Sequence, residues 1–408
     1  MKIWIKILVG SILGILLGLF LPTGPKSMEV LSFLSRFFIQ IGRYVLFPLV
    51  FFSLAVGTFQ LKRERMILPA YARIVLYLLA SCLILVVVGI VSVLIFSPQR
   101  IPIPAAQESA IRLPGLRETL LEIFPSNLFQ ALVGSGQVLI PLAVLAFILG
   151  ANLNFDPRLT SPVVELFDSL NRIFYHINSL VCELFGFAMI VLCAYFLMTL
   201  RQYELRLFRQ ILVILTIDAA LVVFAVYPLL LYFLCDRENP YKWLYALIAP
   251  AAVGFFSGDP YLAATLLAKH GYENLGVPRR IGSGVYSLFA VFGRAGTAMV
   301  SAAGFLLVLK SYSTLEVSFL QALWTILFTV LISLALGSVP GLGAYVAIST
   351  LCGLYGRGIQ EGYLILKPIV PLLVSFGVFL DVLSSGFTSL LVARQLKVRR
   401  EVDIYDFV

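Results

Sequence analysis

Apolar residues run along this chain in long blocks separated by short polar stretches, not in the alternation of a half-buried strand. A membrane-crossing helix takes about 20 apolar residues. Eight blocks read as such spans: Ile3–Leu21, Phe37–Leu61, Ile74–Phe96, Gln137–Leu153, Pro162–Leu200, Leu207–Cys235, Ile281–Leu309 and Tyr363–Val392. The fifth and eighth exceed what a bilayer needs, which predicts tilt or extension beyond it. The first carries Lys2 and Lys6 ahead of its apolar run, as a signal peptide does. No small-residue cleavage site follows, so a retained helix is predicted.

Two further apolar blocks are interrupted. Tyr241–Lys269 is broken at Gly254 and at Ser257-Gly258-Asp259-Pro260, and Val317–Leu354 at Gly337-Ser338-Val339-Pro340-Gly341-Leu342-Gly343. Each has room for two half-helices and a turn at mid-depth. Irregular backbone at that depth is tolerated only inside protein or along a cavity, where its polar groups can hold a ligand. The order of interrupted hairpin then helix occurs over 241–309 and again over 317–392. Paired Gly/Pro-interrupted segments point to a transporter's binding site and to inverted repeats; two ordinary kinked helix pairs are the alternative. The predicted fold class is an all-α membrane protein of eight transmembrane helices plus two re-entrant helical hairpins.

Composition agrees. Of 408 residues, 60% are hydrophobic and 12% charged, against about 25% charged in soluble domains, which excludes a sizeable soluble domain. The net charge of +9 does not form a stripe interleaved with aromatics, so no nucleic-acid partner is expected. The basic residues gather at span ends: Lys62, Arg63 and Arg65; Arg279 and Arg280; Arg394, Lys397, Arg399 and Arg400. With both termini cytoplasmic these clusters follow the positive-inside rule, whereas Arg201, Arg206 and Arg209 run against it. The stretch Ser97–Glu122, with Pro98, Pro102, Pro104 and Pro114, reads as an extracytoplasmic loop. Cys82, Cys182, Cys193, Cys235 and Cys352 sit in or beside apolar runs without a CxxC pair and read as small buried hydrophobes. His176 and His270 are too few for a His-based metal site. No GxSxG, HExxH or P-loop is present, so no enzyme is expected.

Several segments resemble the glutamate transporter homologues of the dicarboxylate/amino acid:cation symporter family. Phe47-Pro48-Leu49-Val50-Phe51-Phe52-Ser53-Leu54-Ala55-Val56-Gly57 resembles the family's second helix. Phe124-Pro125-Ser126-Asn127-Leu128-Phe129, Gly136-Gln137-Val138-Leu139 and Phe147-Ile148-Leu149-Gly150 resemble the start of its fourth. Ser257-Gly258 resembles its first hairpin tip, Gly296-Thr297-Ala298 the end of its Asn-Met-Asp-Gly-Thr motif, and Val339-Pro340-Gly341-Leu342-Gly343 its second hairpin tip. The matches keep family order over nearly the whole chain. The resemblance implies the glutamate transporter fold, a homotrimer, and an elevator-like movement of a transport half against a scaffold half. Residues 1–235 would be mainly scaffold, apart from the third and sixth helices (74–96 and 207–235). Residues 236–396 would form the core of the transport half, and 397–408 a cytoplasmic tail.

The resemblance places substrate between the hairpin tips and the seventh and eighth helices, with sodium on carboxylates, an Asn and backbone carbonyls. Much of that chemistry is altered here. The family's Asn-Met-Asp-Gly-Thr is replaced by Gly293-Arg294-Ala295-Gly296-Thr297, which removes two cation ligands and keeps Thr297 for a substrate carboxylate. Arg294 is an intramembrane charge, which faces a cavity or a partner. It reads as an anion anchor, as a fixed cation in place of sodium, or as half of a structural ion pair. Asp381 is the only acid in the eighth span, and Ser384, Ser385, Thr388 and Ser389 share its helix face. The family's side-chain-reading Arg is missing. Asp259 reads first as the N-cap of a half-helix opened by Pro260 and second as a ligand for a cation or substrate amine. Arg294 is expected to pair with Asp381 or Asp259 in the empty site.

The candidate substrate-binding residues are therefore Ser257, Gly258, Asp259, Arg294, Thr297, Val339, Pro340, Gly341, Asp381, Ser384, Ser385 and Thr388, with Gly293 and Asp381 as candidate cation-binding residues. A lone buried acid is also a candidate proton carrier, because burial disfavours a charged carboxyl. His176 and Asn178 read as packing or subunit-contact residues, and Asp218 belongs to no motif. The expected function is symport of a small amino acid or dicarboxylate with Na+ or H+, without other cofactors, in a bacterial inner membrane. Small-molecule substrate and membrane lipid are the expected partners. A non-transporting sensor or scaffold, or an anion channel, on the same fold is the alternative.

Overall fold

Every regular element among the described residues is helical. The computed structural model describes residues 2–22, 24–102, 121, 124–125, 127–133, 139–235, 239–313, 317–336 and 341–408, with the side chains of Val133, Pro157 and Arg280 excepted. Val339 and Pro340, most of the 97–122 loop, Ser126 and positions 136–138 lie outside the described residues. Seven helical segments among those described are long and apolar enough to cross a membrane.

The first segment, α1 (Ile3–Phe20), lies along α5 (Pro157–Leu200). The reason is a glycine at every fourth position. A Cβ added to Gly10 would stand 2.1 Å from the Gly186 carbonyl oxygen, and one on Gly14 would stand 2.5 Å from that of Ile190. Small residues one turn apart let helix backbones touch inside a membrane. Asp156 caps α5, accepting from Arg158 N at 3.0 Å, and Pro157 takes the first helical position. At 44 residues and about 1.5 Å per residue, α5 is about twice as long as the hydrocarbon layer is thick.

The second predicted span is the inner part of a longer helix, α2 (Pro25–Arg63), and the third is α3 (Ile67–Phe96). Both outrun their apolar stretch because hydrogen bonding continues a helix past the point where burial in lipid stops. The fourth is α4 (Ile140–Asn152). Its 13 residues rise about 20 Å and do not reach across a bilayer of about 30 Å by themselves. The sixth, α6 (Leu205–Leu234), contains a π-helical turn at Val222–Val226.

The first interrupted block is a hairpin of α7 (Tyr241–Ser257) and α8 (Pro260–Glu273). Gly258 turns it at φ +61°, where a side chain would be strained. The second is a hairpin of α11 (Phe319–Ala335) and α12 (Gly343–Tyr355). A capping box of Ser318 and Gln321 starts α11, and Gly341 sits at φ +84° before α12.

The seventh span, expected as one helix, is two: α9 (Arg279–Phe292) and α10 (Ala295–Tyr312). They are separated by non-helical backbone at Gly293 and Arg294. Last comes α13 (Val370–Gln395), preceded by a 3-10 stretch, Gly362–Ile369.

α10 is buried from Ala295 to Leu309, wrapped by α3, α11, α12 and α13. α5 packs on α1 and α2, and α2 on α4, while α9 and α8 bridge to α2. Residues 397–408 fold back on the base of the first hairpin. Arg400 N donates to Gly276 O at 2.9 Å, Lys242 Nζ to Val402 O at 2.6 Å, and Phe407 is buried against Tyr245.

Candidate functional site

The α9–α10 break lies against α13. A Cβ on Gly293 would stand 2.5 Å from Ser385 Oγ and 2.6 Å from the Phe289 carbonyl oxygen. One on Gly296 would stand 2.3 Å from the Cβ of Leu380. Glycine at both positions therefore brings the start of α10 into backbone contact with α13.

Asp381 uses that approach. Its Oδ1 accepts from Thr297 N at 2.9 Å and its Oδ2 from Thr297 Oγ1 at 2.5 Å. Thr297 is in the first turn of α10, where backbone N–H groups lack helical acceptors and the helix dipole is positive. The 3% exposed carboxylate of Asp381 thus takes the place of an N-cap supplied from another helix.

Arg294 ends the break and is 3% exposed. Its Nη2 donates to Ala290 O at 3.4 Å, and its Nε has no hydrogen-bond partner. Its Cζ lies 5.7 Å from the centre of the Tyr261 ring. Among the described residues, no carboxylate lies within 4.0 Å of it. The expected pair with Asp259 or Asp381 is not formed: Asp381 is held by Thr297, and Asp259 by Arg43.

Asp259 divides its two oxygens. Oδ1 caps α8, accepting from Tyr261 N at 3.0 Å and Leu262 N at 2.8 Å. Oδ2 takes the guanidinium of Arg43 from α2, with Nε at 3.1 Å and Nη2 closer. Ser257 Oγ accepts from Asp259 N at 3.1 Å, which leaves Ser257 and Gly258 as the turn itself. Arg43 also lies 5.8 Å from the Tyr261 ring centre, and its Nη2 is 3.9 Å from where a Cβ on Gly341 would be.

The polar face of α13 splits into outward and inward bonding. Ser384 Oγ meets Ser81 Oγ of α3 at 2.6 Å, and Ser81 meets Tyr227 OH at 2.7 Å. Ser385 faces Gly293. Thr388 instead bonds within its own helix, to Ser384 O at 2.7 Å, and Ser389 bonds to Gly386 O and Tyr286 OH. Ser385 Oγ and the Phe289 carbonyl oxygen lie beside Gly293, and the Asp381 carboxylate, a group that suits a proton or a hard cation, sits on Thr297.

Sequence reasoning passed over Arg43, Tyr261, Ser81 and Tyr227. Arg43 carried a signal: it lies inside the predicted second span, and the cost argument applied to Arg294 applies equally to it. The three hydroxyl residues carried none. Elsewhere, Asn178 Nδ2 donates to Thr265 O at 2.9 Å, joining α5 to α8, while His176 is exposed. Asp218 is buried and accepts from Ser92 Oγ at 2.7 Å, away from the break. All five cysteines are buried, and none is in a disulfide.

The chain matches the sequence model of the sodium:dicarboxylate symporter family over residues 3–395. It is 22% identical over 372 residues to a proton/sodium-glutamate symport protein of Bacillus subtilis (strain 168), covering 85% of this chain and 82% of that one. It is 20% identical over 365 residues to proteins of the same name from Geobacillus stearothermophilus and Bacillus caldotenax, covering 85% of this chain and 83% of each of those.

Proposed function

The chain belongs to the sodium:dicarboxylate symporter family, a family of transporters and not of enzymes, and from that premise we propose that it carries a small organic anion across the membrane together with Na+ or H+. With its apolar helices, membership makes it an integral, multi-pass membrane protein. The observation that carries the substrate reading is Arg294: a buried guanidinium, its Nε unpartnered, without a carboxylate at salt-bridge distance. Burying an unpaired charge costs several kcal/mol. A site that keeps one gains that energy back when an anionic ligand arrives.

Coupling follows from Thr297. Its hydroxyl donates to Asp381 and so is not offered to a ligand. A proton or a sodium ion on Asp381 weakens Oδ2 as an acceptor and lets the hydroxyl turn to a substrate carboxylate beside Arg294. The backbone N of Thr297 stays on Oδ1 throughout. Cation at Asp381 and anion at Arg294–Thr297 then favour one another, and linkage makes that effect reciprocal. The substrate class is a small amino acid or dicarboxylate, in line with the glutamate of the relatives' names and the dicarboxylate of the family's.

The remaining architecture is part of the same proposal. Eight spans and two re-entrant hairpins form inverted repeats, with α4 serving as the core of the fourth span. α1, α2, α4 and α5 form the scaffold of a homotrimer in a bacterial inner membrane, with both termini cytoplasmic. The rest moves as the transport half, by an elevator-like shift. The packing of α5 on α1 and α2, and of α2 on α4, supports this division.

The test is uptake into proteoliposomes of radiolabelled glutamate, aspartate and succinate under an inward Na+ gradient and, separately, an inward H+ gradient. Gradient-driven uptake that Arg294→Met removes is the expected result. No uptake under either gradient by correctly folded protein overturns the transport reading in favour of a sensor, and an anion current without coupled uptake overturns it in favour of a channel.

A further inference from the structure

Resting on the transport reading above, we propose that Arg43 makes the site select substrates with two carboxylates over those with one, and that Asp259 occupies Arg43 as a built-in stand-in carboxylate while the site is empty. Arg43 comes from α2, yet its guanidinium reaches both hairpin tips: Asp259 on the first and the vicinity of Gly341 on the second. Arg43 and Arg294 approach the same Tyr261 ring, at 5.8 and 5.7 Å. The two guanidiniums are therefore separated by no more than the sum of those distances, a gap that a short dicarboxylate can bridge with one end on each.

Three details make the Arg43–Asp259 contact exchangeable. First, the carboxylate divides its work. Oδ1 alone caps α8, so Arg43 can leave Oδ2 without unwinding the helix. Second, both Arg43 nitrogens converge on that one oxygen. A guanidinium fork is matched better by two oxygens of one carboxylate, each taking one N–H. A substrate carboxylate can offer that geometry, whereas Asp259, fixed by its cap, does not. Third, the Arg43 side chain is 25% exposed while that of Asp259 is 3% exposed, so the guanidinium is the member of the pair that an arriving ligand can reach.

The contact belongs to loading. Exchange of carboxylates frees the first hairpin tip from α2, and the substrate leaves Arg43 when the hairpin moves. Arg43 is therefore a specificity-determining residue of the loading step, and its removal raises KM for two-carboxylate substrates more than it lowers kcat.

The experiment is calorimetric binding to the purified full-length protein in nanodiscs, with two matched pairs: L-glutamate against L-glutamine, and succinate against succinamate. Within each pair the shape is kept and one carboxylate becomes an amide. Arg43→Gln is expected to weaken the two-carboxylate member about tenfold or more, as for loss of a charged hydrogen bond, and to leave the amide unchanged. Arg43→Lys gives a smaller loss, because the charge stays and the fork goes. Asp259→Asn keeps a capping side chain and is expected to tighten the two-carboxylate member, because the competitor is gone. The double variant, which carries no unpaired charge at this point, binds both members of a pair alike.

Equal weakening of both members by Arg43→Gln and by Asp259→Asn overturns the proposal and makes the pair a structural tie. An unchanged ratio in Arg43→Gln, or no binding of either pair by the unaltered protein, also overturns it. Binding without gradient-driven uptake sinks the transport reading and still decides the role of Arg43.

Discussion

Arg43 and Arg294 approach the same tyrosine ring in different company. Arg43, reaching from α2 to the tip of the first hairpin, has a carboxylate on its guanidinium. Arg294, at the break between α9 and α10, has a carbonyl oxygen at 3.4 Å and an idle Nε. The residue type and the ring are shared, and the two differ in what each was given to neutralise it. A paired buried charge is costly to break, because removing one member strands the other; an unpaired one is costly to keep. One region is thus held shut by its own charges, and the other is held ready for a charge from outside.

The largest expected effect breaks the paired side. Arg43→Met strands Asp259 and should cost about 2–4 kcal/mol of stability, toward the lower part of the range for buried pairs because Arg43 is partly exposed. Thermal unfolding in detergent measures it, and adding Asp259→Asn should recover most of the loss. If the double variant melts no higher than the single one, the two side chains are not an energetic pair.

Arg294→Met should have the opposite signature. Uptake should fall about 10- to 100-fold, the worth of one charge-assisted hydrogen bond to substrate. The melting temperature should hold or rise, since a buried charge without a salt bridge has been removed. A variant that unfolds as readily as Arg43→Met would show that Arg294 serves the fold.

Asp381→Asn sharpens the comparison inside the open region. An amide keeps an acceptor for Thr297 N and loses the proton or sodium site. Gradient-driven uptake should fall about tenfold, in keeping with a typical coupling energy between sites, while exchange of substrate across the membrane persists. Equal loss of uptake and exchange would place Asp381 in substrate binding alone. The smallest effect separates the two jobs of Asp259. Asp259→Ala should be about 1 kcal/mol less stable than Asp259→Asn, which is the cap alone.

Local features were legible in the residues. The Asp259-Pro260 cap is sequence-local: the carboxylate bonds N–H groups two and three positions on. The hairpin turns announced themselves as glycines in apolar runs, and positive φ at Gly258 and Gly341 is the reason. The cost of charge in an apolar span flagged Arg294, and the same rule, applied evenly, would have flagged Arg43. The repeat Gly10, Gly14, Gly18 was equally readable as a helix contact, although which helix it meets was not. The break at Gly293–Arg294 was not legible, because what it packs against, Ser385 of α13, is 92 positions away. α4 was read as a full span because apolar composition does not reveal where hydrogen bonding of a helix stops.

What the sequence determined by itself is the set of terms that act within a few residues: apolar length, capping, turns that need glycine, and the presence of charges too costly to leave without purpose. Only the tertiary structure decided how those charges were resolved. Asp259 could have met either arginine by chemistry alone, and it met Arg43, 216 positions earlier in the chain. Asp381 was drawn to the exposed N–H groups of α10, 84 positions away, and so was not available to Arg294. Pairing of charges depends on distance in space, which local sequence does not specify, and it leaves Arg294 as the unpaired cation on which the proposed function rests.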